Sequence, residues 1–324
     1  MSFQNVSIPP KPDSALRIVR LLNHRLRSLA STLNSLHRPP PPPPLPTHLL
    51  TIVCISDTHC THPPIPPGDL LLHAGDLSKW GTFSEIQAQL TWLSEQPHKY
   101  KVVVAGNHDL LLDPEFREQH PERWKQSAQT ASDDNHINYV DYPAAHLDWA
   151  DVIYLHNSSV TLPFPCDRSL RIYGSPLTPR YGLSAFQHLP SEDVWTEKVP
   201  LNTDIILTHG PPRGHLDGFT KSGCAFLMQE VLRVQPRLVV YGHIHEGYGT
   251  EERVYDRVGE AYEQFSGQLG GWVNLASMAW GIMWGYLMPR SLQQPERRTA
   301  FVNAAVVEGW ENYMVKNEAV VLQI

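Results

Sequence analysis

Five short apolar runs, each followed at once by Asp, Asn or His residues, constrain this chain more than any other feature of its sequence. The runs occupy residues 49–55, 69–72, 101–104, 204–207 and 237–240. They are rich in Leu, Ile and Val and are bounded by Gly, Pro, Asp or Asn, which is typical of buried strands in a mostly parallel sheet. Open α/β sheets gather functional groups at the carboxyl ends of their strands, where all of these polar residues fall.

The residues that follow the runs have the chemistry of a site for two metal ions. Carboxylate and amide oxygens combined with imidazole nitrogens suit divalent cations, and two such ions about 3.5–4 Å apart can clamp the oxygens of a phosphoryl displacement. Residues two apart on an extended segment face the same side, so we expect Asp57 and His59 to reach one ion together. Asp76 follows a glycine that permits close backbone approach and is the expected bridging carboxylate. The predicted ligands are Asp57, His59, Asp76, Asn107, His209, His243 and His245.

Two residues beside Asn107 are predicted to be catalytic. His108 need not bind metal, and an imidazole with an ordinary pKa of about 6.5 can give a proton to a departing oxygen near neutral pH. Asp109 follows directly and is expected to orient the His108 ring, as carboxylates commonly do for functional histidines.

These motifs resemble those of the calcineurin-like metallophosphoesterase superfamily. Residues 172–176, 208–217 and 242–249 are similar to its metallophosphoesterase-domain-containing group. The resemblance implies an α/β fold, a four-layer αββα sandwich of two mixed sheets flanked by helices. It also implies hydrolysis of a phosphomonoester or phosphodiester, such as a cyclic nucleotide, by a hydroxide held between two ions. One ion would be held by Asp57, His59, Asp76 and His245, and the other by Asp76, Asn107, His209 and His243.

The expected cofactors are two divalent metal ions, with Mn²⁺ first and Fe or Zn²⁺ as alternatives. Protein Ser/Thr phosphatases carry an Arg shortly after their Gly-Asp motif, and purple acid phosphatases carry a Tyr where this chain has Lys79. Neither residue is present at these positions, which argues against both subfamilies. Two alternatives to a small-substrate esterase stay open: a phosphoprotein phosphatase, and a weakly active metal-binding scaffold recruited through the N-terminal segment.

The net charge and the cysteines indicate which kind of partner and which cellular compartment to expect. A formal net charge of −7 argues against general nucleic-acid binding, so we expect a small phosphoester substrate. Cys54, Cys60, Cys166 and Cys224 form no disulfide framework, which favours a reducing compartment. The predicted location is the cytoplasm. A peripheral-membrane or organelle-targeted protein is the alternative, and the oligomeric state is left open.

Residues 1–48 are predicted to form a basic amphipathic helix and a polyproline tail. Apolar residues recur every three or four positions between residues 13 and 38, and residues 39–44 are six consecutive prolines, typical of a stiff spacer. Residues 13–46 are a candidate for membrane-surface or protein docking. The helix is open to three interpretations: a docking element, a membrane anchor or transit peptide, and a partly disordered segment.

Residues 49–324 are predicted to be the catalytic domain. Helical patterns occur at residues 83–96 and 222–234, and residues 113–151 are expected to form a loop or short helices over the site. A second sheet is expected from strands at residues 152–155, 160–162, 170–173, 299–307 and 319–324. Residues 272–288 contain three tryptophans and no charged residue. We interpret them as an inserted helix that covers the sandwich, with an interfacial membrane or lid role as the alternative.

Overall fold

The computed structural model describes residues 14–41, 48–135, 143–266, 271–289, 297–308 and 314–324. The chain divides into two compact units. The larger unit comprises residues 44–253 and 298–324, and the smaller unit combines the N-terminal segment with residues 254–297. The predicted boundary between residues 48 and 49 is therefore corrected. The N-terminal helix is not a separate tail, because it shares a hydrophobic core with the segment inserted near the end of the chain.

The strands among the described residues match the predicted runs and add several more. In chain order they are β1 Thr51–Ile55, β2 Leu70–His73, β3 Tyr100–Val103, β4 Val152–Tyr154, β5 Ser158–Phe164, β6 Arg168–Ser175, β7 Thr178–Pro179, β8 Gln187–His188, β9 Ile205–Thr208, β10 Leu238–Tyr241, β11 Gly249–Val254, β12 Arg298–Asn303, β13 Val307–Glu308, β14 Met314–Val315 and β15 Val320–Gln323.

Two large sheets are built from these strands. The first has the order β15-β1-β2-β3-β4, and β15 alone runs antiparallel to its neighbour. The second has the order β11-β12-β10-β9-β6-β5, with β12, β10, β9 and β6 mutually parallel and β5 antiparallel to β6. The expectation that residues 152–155 and 319–324 belong to the second sheet is wrong. Their strands, β4 and β15, pair with β3 and β1 in the first sheet.

The register of each sheet brings the predicted ligand loops to one edge. Ile55 pairs with His73 and His73 with Val103, so β1, β2 and β3 end side by side. In the second sheet Leu207 pairs with Val240, so β9 and β10 also end together. All five ligand-bearing loops therefore leave from carboxyl ends of parallel strands, where open α/β sheets carry their sites.

The helices are α1 Ser14–Leu36, α2 Phe83–Ser94, α3 Pro114–Gln119, α4 Pro121–Asn135, α5 Ala225–Val234, α6 Arg257–Ser266 and α7 Trp272–Leu287. Residues from the inner faces of both sheets form one apolar core. A second core packs α2 on the outer face of the first sheet, and a third packs α5 on the second sheet. The larger unit is thus the predicted αββα sandwich.

Local sequence signals explain where these helices begin and end. Thr82 caps α2, because its hydroxyl accepts from the backbone N–H of Glu85 while the Glu85 carboxylate accepts from the N–H of Thr82. α5 ends where Gln235 adopts a left-handed conformation with φ of 51°. Both α3 and α4 fall within the predicted insertion, of which residues 136–142 lie outside the described part.

Among its described residues, the smaller unit is a group of three helices, α1, α6 and α7. Its core joins Ala30 of α1 to Val258 and Ala261 of α6 and to Met278 and Ile282 of α7. Helix α7 thus packs within its own unit, and the interpretation of α7 as a cover over the sandwich stays a prediction. None of the helices in the described part of the chain is both long enough and apolar enough to span a bilayer.

Candidate metal centre

All seven predicted ligands lie in the loops that follow β1, β2, β3, β9 and β10. Asp57 and His59 follow β1, Asp76 follows β2, and Asn107 follows β3. His209 comes directly after β9, and His243 and His245 follow β10. Five of these side chains are buried, while His243 and His245 are half-buried at the open side.

Two groups of donors form within this set. In the first group, ligand atoms of Asp57, His59 and His245 lie within 4.8 Å of one another. In the second group, ligand atoms of Asp76, His209 and His243 meet the same limit. Asn107 joins the second group, since its Oδ1 lies 3.0 Å from Nε2 of His209. The two predicted ligand sets are therefore brought together as two neighbouring clusters.

Asp76 connects the two clusters. Its Oδ2 lies 3.7 Å from Nε2 of His59 in the first cluster and 3.3 Å from Nε2 of His209 in the second. One carboxylate oxygen is thus within reach of both groups of nitrogen donors, which is the geometry of a bridging ligand. The other oxygen, Oδ1, accepts a hydrogen bond of 2.8 Å from the backbone N–H of His108.

Backbone carbonyls orient two of the ligand imidazoles. Nδ1 of His59 lies 3.2 Å from the carbonyl oxygen of Ser78, and Nδ1 of His209 lies 2.9 Å from that of Ala74. A hydrogen bond from Nδ1–H to a carbonyl fixes the tautomer in which Nε2 carries the lone pair. Both rings therefore present Nε2 to their cluster, as a metal ligand must. The donor set and its tautomers fit a pair of divalent ions.

The loops reach this arrangement through unusual backbone conformations. Asp57, His59, Asp76 and His243 have φ values of 56°, 42°, 54° and 64°. Non-glycine residues rarely adopt this left-handed region, and such strain is concentrated at functional sites. The expectation that Asp57 and His59 face one ion from an extended segment is corrected. They converge because the chain turns sharply at both positions.

Two glycines allow the loops to approach one another closely. A Cβ on Gly106 would lie 2.8 Å from Cγ of Asp76 and closer still to its Oδ1. A Cβ on Gly242 would lie 2.6 Å from Cβ of Ser56 and closer still to Oδ2 of Asp57. Any side chain at either position would displace a carboxylate of the clusters, so both loops require glycine at these positions.

The electrostatics of the centre favour a bound cation. Burial would raise the pKa of Asp57 and of Asp76, but neighbouring histidines hold both pKa values below the usual aspartate range. Burial would lower the pKa of His209, yet the charge of Asp76 raises it to about 9. Burial lowers the pKa of His243 to about 3. A proton on His209 thus offsets the buried negative charge, and a bound metal ion would displace that proton.

His108 stands at the edge of the first cluster. Its ring lies edge-on to that of His59 with 4.7 Å between centroids, and its Nδ1 lies 2.9 Å from the carbonyl of Lys79. The role predicted for Asp109 is corrected. Its buried carboxylate accepts hydrogen bonds from the N–H groups of Leu77, Ser78 and Gly106, so it ties the loop after β2 to the loop after β3. The carbonyl of Lys79 orients the His108 ring instead.

His73, the last residue of β2, supports the centre in a way the sequence reasoning missed. It is fully buried, its Nε2 lies 3.0 Å from the hydroxyl of Thr58, and its Nδ1 accepts a 3.2 Å hydrogen bond from the N–H of Gly75. Burial lowers the pKa of His73 to about 4, so the ring is neutral. A histidine ending a buried apolar run was the available signal, because such a residue needs hydrogen-bond partners.

A cavity of about 570 Å³ lies beside the second cluster. Its wall includes Ser184, whose hydroxyl donates a hydrogen bond to the carbonyl of Asn107. The wall also includes Asn157, whose Oδ1 accepts a 2.7 Å hydrogen bond from Ser175. The carbonyl of Ser175 in turn accepts from the N–H of His209. The cavity therefore borders the residues that support two ligands of the second cluster.

The cavity is partly aromatic and partly polar. Phe116 and Phe186 are buried in its wall, and the ring of His156 lies edge-on to that of Phe186 with 5.6 Å between centroids. Arg180 adds a cation. His188 is 5% exposed, and its Nε2 has no hydrogen-bond partner among the described residues. A volume and lining of this kind suit a small organic molecule with polar groups.

The comparison with known protein families agrees with this geometry. The family model for calcineurin-like phosphoesterases matches residues 50–247, a stretch that contains all seven ligands and His108. The chain belongs to the calcineurin-like phosphoesterase family. Membership accounts for the αββα sandwich and for the clusters of Asp and His at the strand ends, since the family is metal-dependent.

Several curated proteins are similar to this chain over most of its length. "Metallophosphoesterase domain-containing protein 1" of Homo sapiens is 40% identical over 221 residues, 65% of each chain. "UPF0046 protein K07C11.7" of Caenorhabditis elegans is 33% identical over 210 residues, 63% of this chain and 66% of that protein. "Probable rhamnogalacturonate lyase C" of Emericella nidulans is 36% identical over 279 residues, 86% of this chain. This chain spans just under two thirds of the human protein and 24% of the lyase.

Proposed function

We propose that this chain hydrolyses a small phosphomonoester or phosphodiester at a pair of divalent cations. The observation that carries the proposal is the position of Asp76 Oδ2, 3.7 Å from Nε2 of His59 and 3.3 Å from Nε2 of His209. A carboxylate oxygen shared by two donor clusters is what a bridged two-ion centre needs. Membership of the calcineurin-like phosphoesterase family supports the same activity.

The chain's own residues divide between the two ions. When bound, the ions supply Lewis-acid chemistry, because they lower the pKa of water and neutralise charge on phosphoryl oxygens. Mn²⁺ suits the mixed oxygen and nitrogen donors, and Fe and Zn²⁺ are the alternatives that metal analysis would separate. Asp76 would contribute to holding both ions, together with Asp57, His59 and His245 at one and Asn107, His209 and His243 at the other.

His108 is the residue best placed to handle a proton. Its Nδ1–H donates to the carbonyl of Lys79, so Nε2 is the nitrogen that exchanges a proton with the substrate. The side chain is half-buried, while most ligands are buried, so it lies on the side from which a substrate approaches. Protonated at Nε2, the ring would donate that proton to the leaving oxygen as the phosphorus–oxygen bond breaks.

The cavity beside the second cluster supports a small substrate. Its volume of about 570 Å³ falls in the range of small-molecule sites, and it would hold the organic group of the ester while phosphate lies at the ions. Phe186 and His156 offer aromatic surface, and Nε2 of His188 offers a buried polar contact. These features favour a compact phosphodiester such as a cyclic nucleotide over a phosphorylated protein surface.

The experiment that tests this proposal compares His108→Ala with the control His62→Ala in Mn²⁺-loaded protein. His62 is an exposed imidazole stacked on Trp92. His108→Ala should keep its metal content and lose at least about 100-fold in turnover of alkyl esters, with a much smaller loss for activated aryl esters. The control should match the unsubstituted protein. An equal loss for both kinds of ester would remove His108 from the role of acid.

A substrate panel separates the proposal from its alternatives. Turnover of small diesters and monoesters above that of phosphopeptides is the expected result. Preference for a phosphopeptide would instead favour a phosphoprotein phosphatase. Inactivity of protein that holds two ions per chain, across the whole panel, would favour a metal-binding scaffold. The cytoplasmic location remains a prediction, which fluorescence microscopy of the tagged full chain would test.

A further inference from the structure

The smaller unit presents an apolar face that its own core does not use. On α7, Leu275, Met278 and Ile282 point into the core and are at most 9% exposed. The opposite side of the helix has no charged residue along its whole length. It carries Val273, Trp280, Trp284 and Leu287, which recur at spacings of seven, four and three and are 82%, 53%, 52% and 70% exposed.

Aromatic side chains dominate this α7 face. Trp280 and Trp284 stack with 6.5 Å between ring centroids and an interplanar angle of 18°. Trp272 and Tyr286 extend the exposed aromatic surface toward the two ends of the helix. Trp and Tyr are the residues enriched where proteins meet the headgroup region of a bilayer, because their rings are apolar and their edges are polar.

Helix α1, which packs against α7, also has exposed apolar side chains, with an arginine beside them. Leu29 and Leu36 are 45% and 51% exposed, and Arg25 lies on their side of the helix, four residues before Leu29. The end of α1 is fixed to the end of α7, because the guanidinium of Arg38 lies 4.2 Å from the centroid of the Tyr286 ring. An exposed arginine thus stacks on the aromatic ring next to Leu287, near the end of α7.

The charge of the smaller unit is opposite to that of the chain as a whole. Its two stretches, residues 1–43 and 254–297, contain nine Lys and Arg against five Asp and Glu, while the full chain has a formal net charge of −7. Arg25, Arg27, Arg38 and Arg257 are exposed on this unit. Negative charge is therefore concentrated on the larger unit, and positive charge on the smaller unit, which carries Trp280 and Trp284.

We propose that the α7 face and the flanking arginines dock this protein on an anionic lipid surface. Trp280 and Trp284 would enter the headgroup region, and Arg25 and Arg38 would pair with lipid phosphates and carboxylates. The 16-residue length of α7 fits a helix that lies in the surface plane, not one that crosses the bilayer. A second copy is a poorer occupant, because a two-fold contact through this face would bring like-charged arginines together.

Vesicle sedimentation of the full chain tests the proposal. The probes are vesicles of phosphatidylcholine alone and vesicles with about one third phosphatidylserine. The test variant combines Trp280→Gln with Trp284→Gln, and the control is Phe219→Gln, which removes a 97% exposed aromatic ring from the catalytic unit. Both Trp side chains are half-exposed, so the fold should survive their replacement, and thermal unfolding of each variant checks this.

We expect the unsubstituted chain to sediment with anionic vesicles and to shift its tryptophan emission to the blue. The double variant should bind at least about tenfold more weakly, while Phe219→Gln binds normally. Arg25→Gln and Arg38→Gln should each weaken binding about fivefold and reduce its salt dependence. Absence of binding to anionic vesicles overturns the proposal. So does a dimer of the unsubstituted chain that the double variant dissociates, because the α7 face would then belong to a second copy.

Discussion

Substituting Gly106 by Ala should disable the metal centre without removing any ligand. A Cβ at this position would lie 2.8 Å from Cγ of Asp76, whereas carbon atoms in contact are about 3.5–4.0 Å apart. The carboxylate or its loop must therefore move by at least about 0.7 Å. Metal-ligand distances tolerate only about 0.2 Å, and Asp76 serves both clusters. We therefore expect Gly106→Ala to lose both ions together.

Gly242→Ala provides a sharper comparison within the same centre. Its Cβ would press on Ser56 and on the carboxylate of Asp57, which belongs to the first cluster only. This variant should lose one ion and keep the other. Gly271→Ala is the matched control, because nothing lies within 4 Å of a Cβ there and its φ of −143° suits alanine. The control should bind two ions.

Metal content measured by mass spectrometry after Mn²⁺ loading is the first assay, and turnover of a small phosphodiester is the second. A displacement approaching 1 Å at a reacting centre can cost about 100-fold in rate, which is the loss expected for Gly106→Ala. Thermal unfolding without metal identifies any variant that fails to fold. Two ions and full turnover in folded Gly106→Ala would refute the bridging role of Asp76.

Three further predictions concern stability. Glu230→Ala should destabilise the larger unit by about 2 kcal/mol in urea unfolding, since the carboxylate accepts from the N–H of Val199 and pairs with Arg233. Burial would raise the pKa of Glu230, but the hydrogen bond from Arg233 holds that pKa below the usual glutamate value. The stabilisation is therefore complete above the unfolded-state pKa of about 4.3 and is lost as the pH falls through the lower folded-state pKa. Removing metal with EDTA should lower the midpoint of thermal unfolding by about 5–10 °C, reversibly, because bound ions stabilise only the folded centre. Thr82→Ala should cost about 1 kcal/mol in urea unfolding and leave metal content unchanged, because it removes a helix cap and no predicted ligand.

The strands and the candidate ligands that follow them were predictable because both depend on short stretches of sequence. Each β-strand that precedes a ligand loop is a short, largely apolar run followed by a turn, and such a run indicates a buried strand whatever the rest of the fold is. The assignment of strands to sheets was less predictable. Val152 pairs with Lys101 and Val320 with Cys54, and pairings between segments that are distant in the chain leave no local signal.

The orientation of the site residues was not predictable, because backbone atoms provide much of it. The carbonyls of Ala74, Ser78 and Lys79 set the tautomers of His209, His59 and His108, and every residue has a carbonyl. For Asp109, the position in the sequence led to a wrong prediction. Adjacency in sequence suggested that it orients His108, but the turn after β3 directs its carboxylate to the neighbouring loop.

The disagreement between pattern and packing is greatest at α7. The helix is apolar on every side, and such a helix is expected to be buried all round. In the described contacts it buries one side through Leu275, Met278 and Ile282 and leaves Trp280 and Trp284 half-exposed. Places where local sequence and packing conflict are commonly functional. All seven predicted metal ligands and His108 lie in the larger unit, so the proposed lipid-binding face shares no residue with the proposed site of hydrolysis. A variant that loses lipid binding through α7 should therefore retain its turnover of small, soluble phosphoesters.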